Sequence, residues 1–119
     1  MIYKKSNALN SLKPNTKWAW IGDAYSGLTW LDSGTAPTES DINAELTKLT
    51  NAEPMRLLRV ERDAKLTACD WRASSDVTLT DAWKTYRQAL RDLPASSTPK
   101  VDTNGDLDLT SVTWPTEPS

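Results

Sequence analysis

The stretch LLRVERDAKLTACDWRASSDVTLTDAWKTYRQALRDL, residues 57 to 93, decides the fold. It contains two segments with the apolar spacing of helices, joined by a polar link from Arg72 to Val77. Two helices with a short connection pack against each other as antiparallel neighbours. The sequence therefore predicts a helical hairpin at the centre of the fold, with Trp71 and Trp83 filling the space between its helices.

The first helix of this pair is predicted from Pro54 to about Asp70. Its main apolar stripe, which we expect to face the core, is Leu57, Val60, Ala64, Ala68 and Trp71. A second set of apolar residues flanks the stripe: Met55, Leu58, Leu66 and Cys69. The charged residues between them are interpreted as a solvated face. Cys69 has apolar neighbours and no His to activate it, so it is predicted to be buried and unreactive.

The second helix is predicted to begin near Thr78 or Thr80, with Asp81 in its first turn, and to end at Pro94. Its buried face is predicted from four residues that recur at helical spacing: Trp83, Tyr86, Leu90 and Leu93.

A β-hairpin is predicted upstream, with strands at 17–21 and 28–32 around a polar loop bounded by glycines. Side chains alternate between the two faces of a strand, so Trp18 and Trp20 share one face of the first strand. On the second strand, Trp30 shares one face with the leucine two positions before it. An isolated ribbon cannot bury three indoles. We expect them to pack on the following helix; the alternative is an adhesive face for a partner protein or a sugar.

Another helix is predicted from Thr38, its N-cap, to about Asn51. Its apolar stripe is Ile42, Leu46 and Leu49. Pro54 then either starts a new helix or kinks a longer one. The polar residues 1–15 are interpreted either as an arm laid on another subunit or as a frayed end.

After a Ser/Pro-rich linker, the pair Asn104-Gly105 predicts a tight turn, and residues 112–118 are predicted to be extended, anchored by Trp114. Four residues stand at positions 1, 3, 5 and 7 of a calcium-loop template: Asp102, Asn104, Asp106 and Asp108. Leu107 replaces the glycine of that template and Thr113 replaces its closing glutamate. An acidic hairpin tip is therefore favoured over a calcium site.

Composition narrows the classes of function. Hydrophobic residues make up 38% of the 119 residues. This fraction is below the usual range of about 45–50% for globular proteins, although that range also counts Gly. The net charge of −2, with acids and bases interleaved, predicts neither nucleic-acid nor membrane binding. The lone Cys and the absence of a leader-like or membrane-spanning run favour a reducing cytosol. Zero His and no Gly-rich phosphate loop argue against catalysis, cofactors and metals.

Three motifs occur in order. They are Arg59-x-x-Arg62-Asp63 continuing to Asp70-Trp71, then Trp83-x-x-Tyr86-Arg87-Gln88-Ala89-Leu90-Arg91-Asp92-Leu93-Pro94, then Val112-Thr113-Trp114-Pro115-Thr116-Glu117-Pro118. Together they resemble the phage tail assembly chaperone domain of tailed bacteriophages, over about residues 55–119. Lys65, where an apolar residue is expected, and the acidic stretch 101–110 depart from that pattern. The opening, from Leu9 to Pro54, is similar to small tail-fibre-associated proteins.

The resemblance implies a non-enzymatic protein that helps tail-fibre subunits fold or trimerise in the host cytoplasm, and it leaves open whether the protein stays in the virion. We expect it to bind the fibre protein or neighbouring copies of itself through Trp18, Trp20, Tyr25, Trp30, Ile42, Leu46 and Leu49. The alternative is a receptor-binding tip module that stacks a host glycan on exposed Trp or on Tyr25.

The predicted class is α+β: an N-terminal β-hairpin, a long or Pro-kinked helix, a second antiparallel helix and a short C-terminal hairpin or extended tail. Residues 1–53 are expected to be a fibre-associated hairpin–helix segment. Residues 54–119 are expected to be the chaperone-like helical hairpin with its Trp-Pro tail.

Overall fold

The computed structural model describes residues 1–74 and 76–119 and has the predicted α+β class, which is confirmed. Its regular elements are α1 (Lys5–Leu12), β1 (Trp18–Trp20), β2 (Leu28–Trp30), α2 (Glu39–Ala68) and α3 (Asp81–Ser96). Single 3₁₀ turns lie at Tyr25–Gly27, Asp70–Ala73 and Leu109–Ser111. The chain divides into two compact units, Met1–Ala52 and Glu53–Ser119, and α2 runs through the boundary.

The N-terminal unit contains the antiparallel hairpin of β1 and β2, in which Trp18 faces Trp30 and Trp20 faces Leu28. Directly opposed residues project to the same side of a ribbon, so all four side chains share one face. The loop closes where the Ile21 N–H donates to the Gly27 carbonyl oxygen over 3.0 Å. A Cβ at position 27 would collide with the carbonyl oxygen of Ile21, which explains the glycine there.

Residues 5–12 form helix α1, so both interpretations of residues 1–15, as an arm or as a frayed end, are wrong for this part of the chain. The Asn7 side chain accepts the Lys4 N–H over 2.8 Å and caps the helix start. Ala8 and Leu9 have no exposed surface. The helix was missed because two turns offer too short a pattern to separate from a polar coil.

Helix α2 begins as predicted: the Thr38 hydroxyl accepts the Asp41 N–H over 3.1 Å. It then continues through Pro54 to Ala68, so Pro54 lies inside one long helix and does not start a new one. Proline removes one backbone donor from the helix interior, a local cost that the packing of a long helix can offset.

Helix α3 also has its predicted start, because the Thr80 hydroxyl accepts the Trp83 N–H over 3.3 Å. The predicted end at Pro94 is wrong, since the helix continues to Ser96. The hydroxyl of Ser97 donates to the Leu93 carbonyl oxygen over 2.6 Å and satisfies an acceptor that the helix end leaves free. The predicted buried face is confirmed: Trp83, Tyr86, Leu90 and Leu93.

The C-terminal unit packs α2 against α3, but with a different side of α2 from the one predicted. Leu58 is fully buried beside Leu93, and Cys69 is buried beside Trp83, so the two helices run antiparallel. The stripe predicted to be core instead faces outward: Val60 is 56% exposed, as is Trp71, and Ala64 and Ala68 are exposed.

The prediction chose the wrong side of α2 because both sides satisfy helical spacing and the true core side carries a charge. Arg62 lies on that side, and its side chain is only 20% exposed. Its guanidinium reaches the Asp63 carboxylate at 2.8 Å, so the charge stays paired while the rest of the side chain is covered. Trp71 therefore does not fill the space between the helices as predicted, whereas Trp83 is 6% exposed.

The chain ends in a small turn and an extended segment. Val101 and Leu107 form an isolated antiparallel bridge, and the predicted turn at Asn104-Gly105 lies between them, with Gly105 at φ +80°. Val112 and Trp114 then pack in the cluster that contains Leu58 and Leu93.

Candidate protein-binding surfaces

The described residues, 1–74 and 76–119, contain no group of three or more His, Cys, Asp or Glu placed to hold a metal ion. Across the same ranges, no helix combines the length and apolar character needed to cross a bilayer. The Cys69 side chain is 3% exposed and lies in a hydrophobic cluster.

All seven residues predicted to bind a partner come together in one cluster of the N-terminal unit: Trp18, Trp20, Tyr25, Trp30, Ile42, Leu46 and Leu49. This cluster also contains Ala8 and Leu9 from α1, and it is the hydrophobic core of the unit. Ile42 has no exposed surface, while the other six are partly buried. Only their remaining edges can touch another molecule.

Two of the aromatic side chains in this cluster, Trp20 and Tyr25, make hydrogen bonds as well as packing contacts. The Trp20 indole N–H donates to the Ala24 carbonyl oxygen over 2.9 Å, and the Tyr25 hydroxyl donates to that of Pro37 over 2.8 Å. Trp20 meets Trp18 and Tyr25 edge to face, with ring centres 6.4 Å apart in both pairs. The cluster thus holds one face of the hairpin against α1 and α2.

The other face of the hairpin is exposed, and the sequence analysis did not select it. Ile21 is 84% exposed and Leu31 is 60% exposed. Together with Ala19 and Thr29 between them, these residues form what we term the outer hairpin face. This face could have been predicted from the sequence, because side chains alternate between the two faces of a strand. If the indoles lie on one face, the residues between them lie on the other.

Asp32 joins the two strands at the end of the hairpin opposite the loop. Its carboxylate accepts the backbone N–H of Lys17 over 2.8 Å and that of Ser33 over 2.8 Å. These two hydrogen bonds, the one from Lys17 first, favour the charged carboxylate and lower the pKa of Asp32 below its ordinary value.

In the C-terminal unit, Arg87 of the family-like motif links α3 to the end of α2. Its guanidinium donates to the Leu66 carbonyl oxygen over 3.2 Å, to Cys69 Sγ over 3.0 Å and to the Asp70 carboxylate over 2.9 Å. The bond to Asp70, and then that to Cys69, raise the pKa of Arg87 above its ordinary value. Two residues that the sequence analysis placed in separate motifs, Asp70 and Arg87, are thus brought together.

The remaining aromatic residues of the motif lie beside this contact. Trp83 and Tyr86 pack edge to face with ring centres 5.6 Å apart. Burial, with a smaller contribution from the Glu117 carboxylate, raises the pKa of the Tyr86 hydroxyl. The Arg72 guanidinium lies 3.9 Å from the Trp83 ring centre and 4.5 Å from that of Trp71, so it stacks against both rings.

The last motif residues also have structural contacts. Trp114 packs in a hydrophobic cluster, and the Lys65 ammonium lies 5.2 Å from its ring centre. Lys65 therefore makes a cation–π contact where the family pattern led us to expect an apolar residue. Pro115 follows Trp114 and is partly buried, and Arg91 donates to the Gln88 side chain over 2.9 Å.

A second exposed apolar surface runs along α2 within the C-terminal unit and ends at Trp71, in the 3₁₀ turn that follows the helix. We term it the outer α2 stripe; it consists of Leu57, Val60, Ala64, Ala68 and Trp71. Leu57 is half-buried and the other four are exposed. The stripe is the one that the sequence analysis assigned to the core.

The acidic turn uses its carboxylates internally. The Asp102 carboxylate accepts the N–H of Asn104 over 2.8 Å and that of Asp106 over 3.0 Å. Asp108 accepts both the hydroxyl and the N–H of Thr110, which lower its pKa in that order. These contacts account for the spacing of Asp102, Asn104, Asp106 and Asp108 as a hydrogen-bonded turn.

The C-terminal part of the chain matches a known protein family. A family model described as phage tail assembly chaperone protein matches residues 55–119, more than half of the chain. This match confirms the resemblance seen in the sequence. No curated protein and no solved structure matches the chain.

Proposed function

The chain belongs to the phage tail assembly chaperone family and has a role in tail assembly, and from this premise we propose that it binds the tail-fibre protein and keeps fibre subunits soluble until they trimerise. The family is an assembly family and is not known for catalysis. The protein thus acts by covering surface on an immature subunit, in the host cytoplasm.

The outer hairpin face is the observation that carries this proposal. Ile21 and Leu31 expose aliphatic side chains on a hairpin whose other face packs in the core of the N-terminal unit. Covering such surface is favourable because it removes apolar area from water, at about 25 cal/mol per Å². An unfolded or unassembled fibre subunit exposes apolar surface of the same kind.

The predicted partner-binding residues take a supporting part in this proposal. The partly exposed edges of Trp18, Trp20 and Trp30 extend the contact around the ribbon, while their buried parts hold it in shape. The C-terminal unit contains the residues that match the family model. Within it, Arg87 donates a hydrogen bond to the end of α2.

Co-expression with the tail-fibre protein of the same phage tests the proposal. We expect the chain to increase the yield of soluble fibre trimers, and we expect Ile21→Asp or Leu31→Asp to reduce that yield to the level without the chain. Leu109→Asp is the matched control, because it places the same charge on a similarly exposed aliphatic residue of the other unit.

Unchanged trimer yield without the chain would refute the assembly role. Unchanged yield with both hairpin variants would refute the assigned surface. A glycan array tests the receptor-binding alternative, in which the protein itself binds sugar. Mass spectrometry of purified virions decides whether the protein remains as a structural component of the tail.

A further inference from the structure

The outward edge of strand β1 carries backbone groups that point away from its partner strand. Hydrogen-bonded and non-bonded pairs alternate along an antiparallel ribbon. The bond from the Ile21 N–H to the Gly27 carbonyl oxygen fixes this alternation, so positions 17, 19 and 21 direct their backbone groups at β2. The N–H and C=O groups of Trp18 and Trp20 therefore point to the other side. We term these four groups the free β1 edge.

The free β1 edge is open within the described chain. Across residues 1–74 and 76–119, none of its four groups has a hydrogen-bond partner, and β2 is the one strand paired with β1. Backbone groups without a protein partner are normally in contact with water, because burying them unpaired is costly. The outward edge of β2 offers fewer groups, since the Leu28 N–H already donates to the Tyr25 carbonyl oxygen. Strand β1 therefore has the more complete edge.

The sequence of β1 does nothing to protect this edge. Native edge strands are usually protected by proline, by lysine, by a bulge or by a covering element. Residues 18–21 read Trp-Ala-Trp-Ile, without proline or charge, and residues 18–20 pair with β2 in unbroken register. Backbone in the left-handed region flanks the strand, at Asn15 with φ +63° and at Gly22 with φ +77°. The free β1 edge is therefore unprotected but short.

The chemistry of the edge specifies what can occupy it. Two N–H donors and two C=O acceptors recur two residues apart, about 6.8 Å at the rise of a strand. A second extended backbone presents the same groups at the same spacing, whereas a helix uses its own groups internally. Ile21 is 84% exposed on the outer hairpin face and offers an apolar neighbour to alternate side chains of an added strand. Subunits that have not finished assembling expose unpaired strand edges.

We propose that an extended segment of an unassembled tail-fibre subunit adds to the free β1 edge as a third strand, hydrogen-bonded to the N–H and C=O groups of Trp18 and Trp20. This inference rests on the proposed function and specifies how the fibre subunit is held. Every second side chain of the added segment lies beside Ala19 and Ile21 on the outer hairpin face. Main-chain recognition tolerates many sequences, and so short an edge gives a reversible contact that trimerisation can displace.

Hydrogen exchange at single amides tests the proposal, measured by mass spectrometry on the full chain alone and with the tail-fibre protein of the same phage. In the free chain, the amides of Trp18 and Trp20 should exchange at least about tenfold faster than those of Ala19 and Ile21, which face β2. In the complex, exchange at Trp18 and Trp20 should slow by at least about tenfold. The Trp30 amide, on the opposite edge of the hairpin, is the matched control and should keep its rate.

The outcomes of the exchange measurement separate this inference from the proposed function. A complex in which Trp18 and Trp20 keep their free exchange rates overturns the added strand and leaves fibre binding intact. The absence of any complex overturns both. Protection of the two amides in the chain alone, increasing with its concentration, would place a second copy on the edge and would also contradict the proposal.

Backbone methylation of the partner provides a second readout. Overlapping peptides that cover the fibre sequence identify the bound segment, and each backbone nitrogen of that segment is then methylated in turn. An added strand directs its N–H groups at its neighbour at every second residue. Methylation should therefore weaken binding at least about tenfold at alternate positions and little at the positions between them, which serve as controls. Equal effects at successive positions would show that the segment does not bind as a strand, and the proposal would be wrong.

Discussion

Arg87 shows at the scale of one residue why a charged motif position can be structural. One guanidinium satisfies a carbonyl oxygen and a sulfur at the end of α2 and pairs with Asp70. The Asp70 side chain is 60% exposed, so solvent screens that ion pair and its contribution to stability is small. The bonds to Leu66 and Cys69 are better shielded from water, so we expect them to contribute more to stability than the ion pair.

We expect Arg87→Ala to lower the free energy of unfolding by about 2 kcal/mol, because buried acceptors lose a charged donor. Asp70→Asn should cost less than about 1 kcal/mol. Urea titration followed by circular dichroism measures both. Equal losses in the two variants would show that the ion pair, and not the link to α2, is the important contact.

Trp114 poses a different problem at this scale, because its indole N–H is buried without an acceptor among the described residues. A buried donor with no partner costs free energy. We therefore expect Trp114→Phe to leave the free energy of unfolding within about 1 kcal/mol of the parent, whereas Trp114→Ala should lower it by about 3 kcal/mol. The same urea titration distinguishes them. A larger loss for the Phe variant than for the Ala variant would contradict this account.

At the scale of the element, the hairpin depends on a charged side chain at its open end. The lowered pKa of Asp32 means that the folded state favours its carboxylate form. Its contribution to stability is therefore fully present above its ordinary pKa of 3.8 and is lost as the pH falls through the lower folded value.

We expect Asp32→Asn to reduce the loss of stability between pH 6 and pH 2, because the amide does not titrate. The measurement is urea unfolding across that pH range, monitored by tryptophan fluorescence. Asp23→Asn is the control, because it alters an acidic residue in the loop between the strands and leaves Asp32 in place. An acid sensitivity equal to that of the parent would show that the strand closure does not depend on this carboxylate.

Helix α2 shows which features of a helix depend on the elements packed against it. Its start at Thr38 follows from local capping chemistry and was predicted. Its buried side did not follow, because two apolar stripes satisfy the helical period equally well. Packing against α3 selected the side with Leu58 and Cys69 and left the outer α2 stripe in solvent.

At the scale of the whole molecule, two exposed apolar surfaces belong to different units. The outer hairpin face lies in the N-terminal unit and the outer α2 stripe in the C-terminal unit. The family match covers residues 55–119, within the second unit. On the function proposed above, the N-terminal unit meets the fibre subunit. The assignment of separate roles to residues 1–53 and 54–119 thus stays a prediction.

Local sequence patterns were enough to predict the α+β class, the two capped helix starts, the buried face of α3 and the family. Each depends on neighbours within a few positions or on motifs in fixed order, so local chemistry was sufficient. Long-range packing was needed to establish that α1 is a helix, that α1 joins the hairpin indoles in their core, and which side of α2 is buried. Those outcomes depend on which apolar surfaces pack against each other. Such contacts join residues far apart in the chain, so neighbouring positions do not determine them.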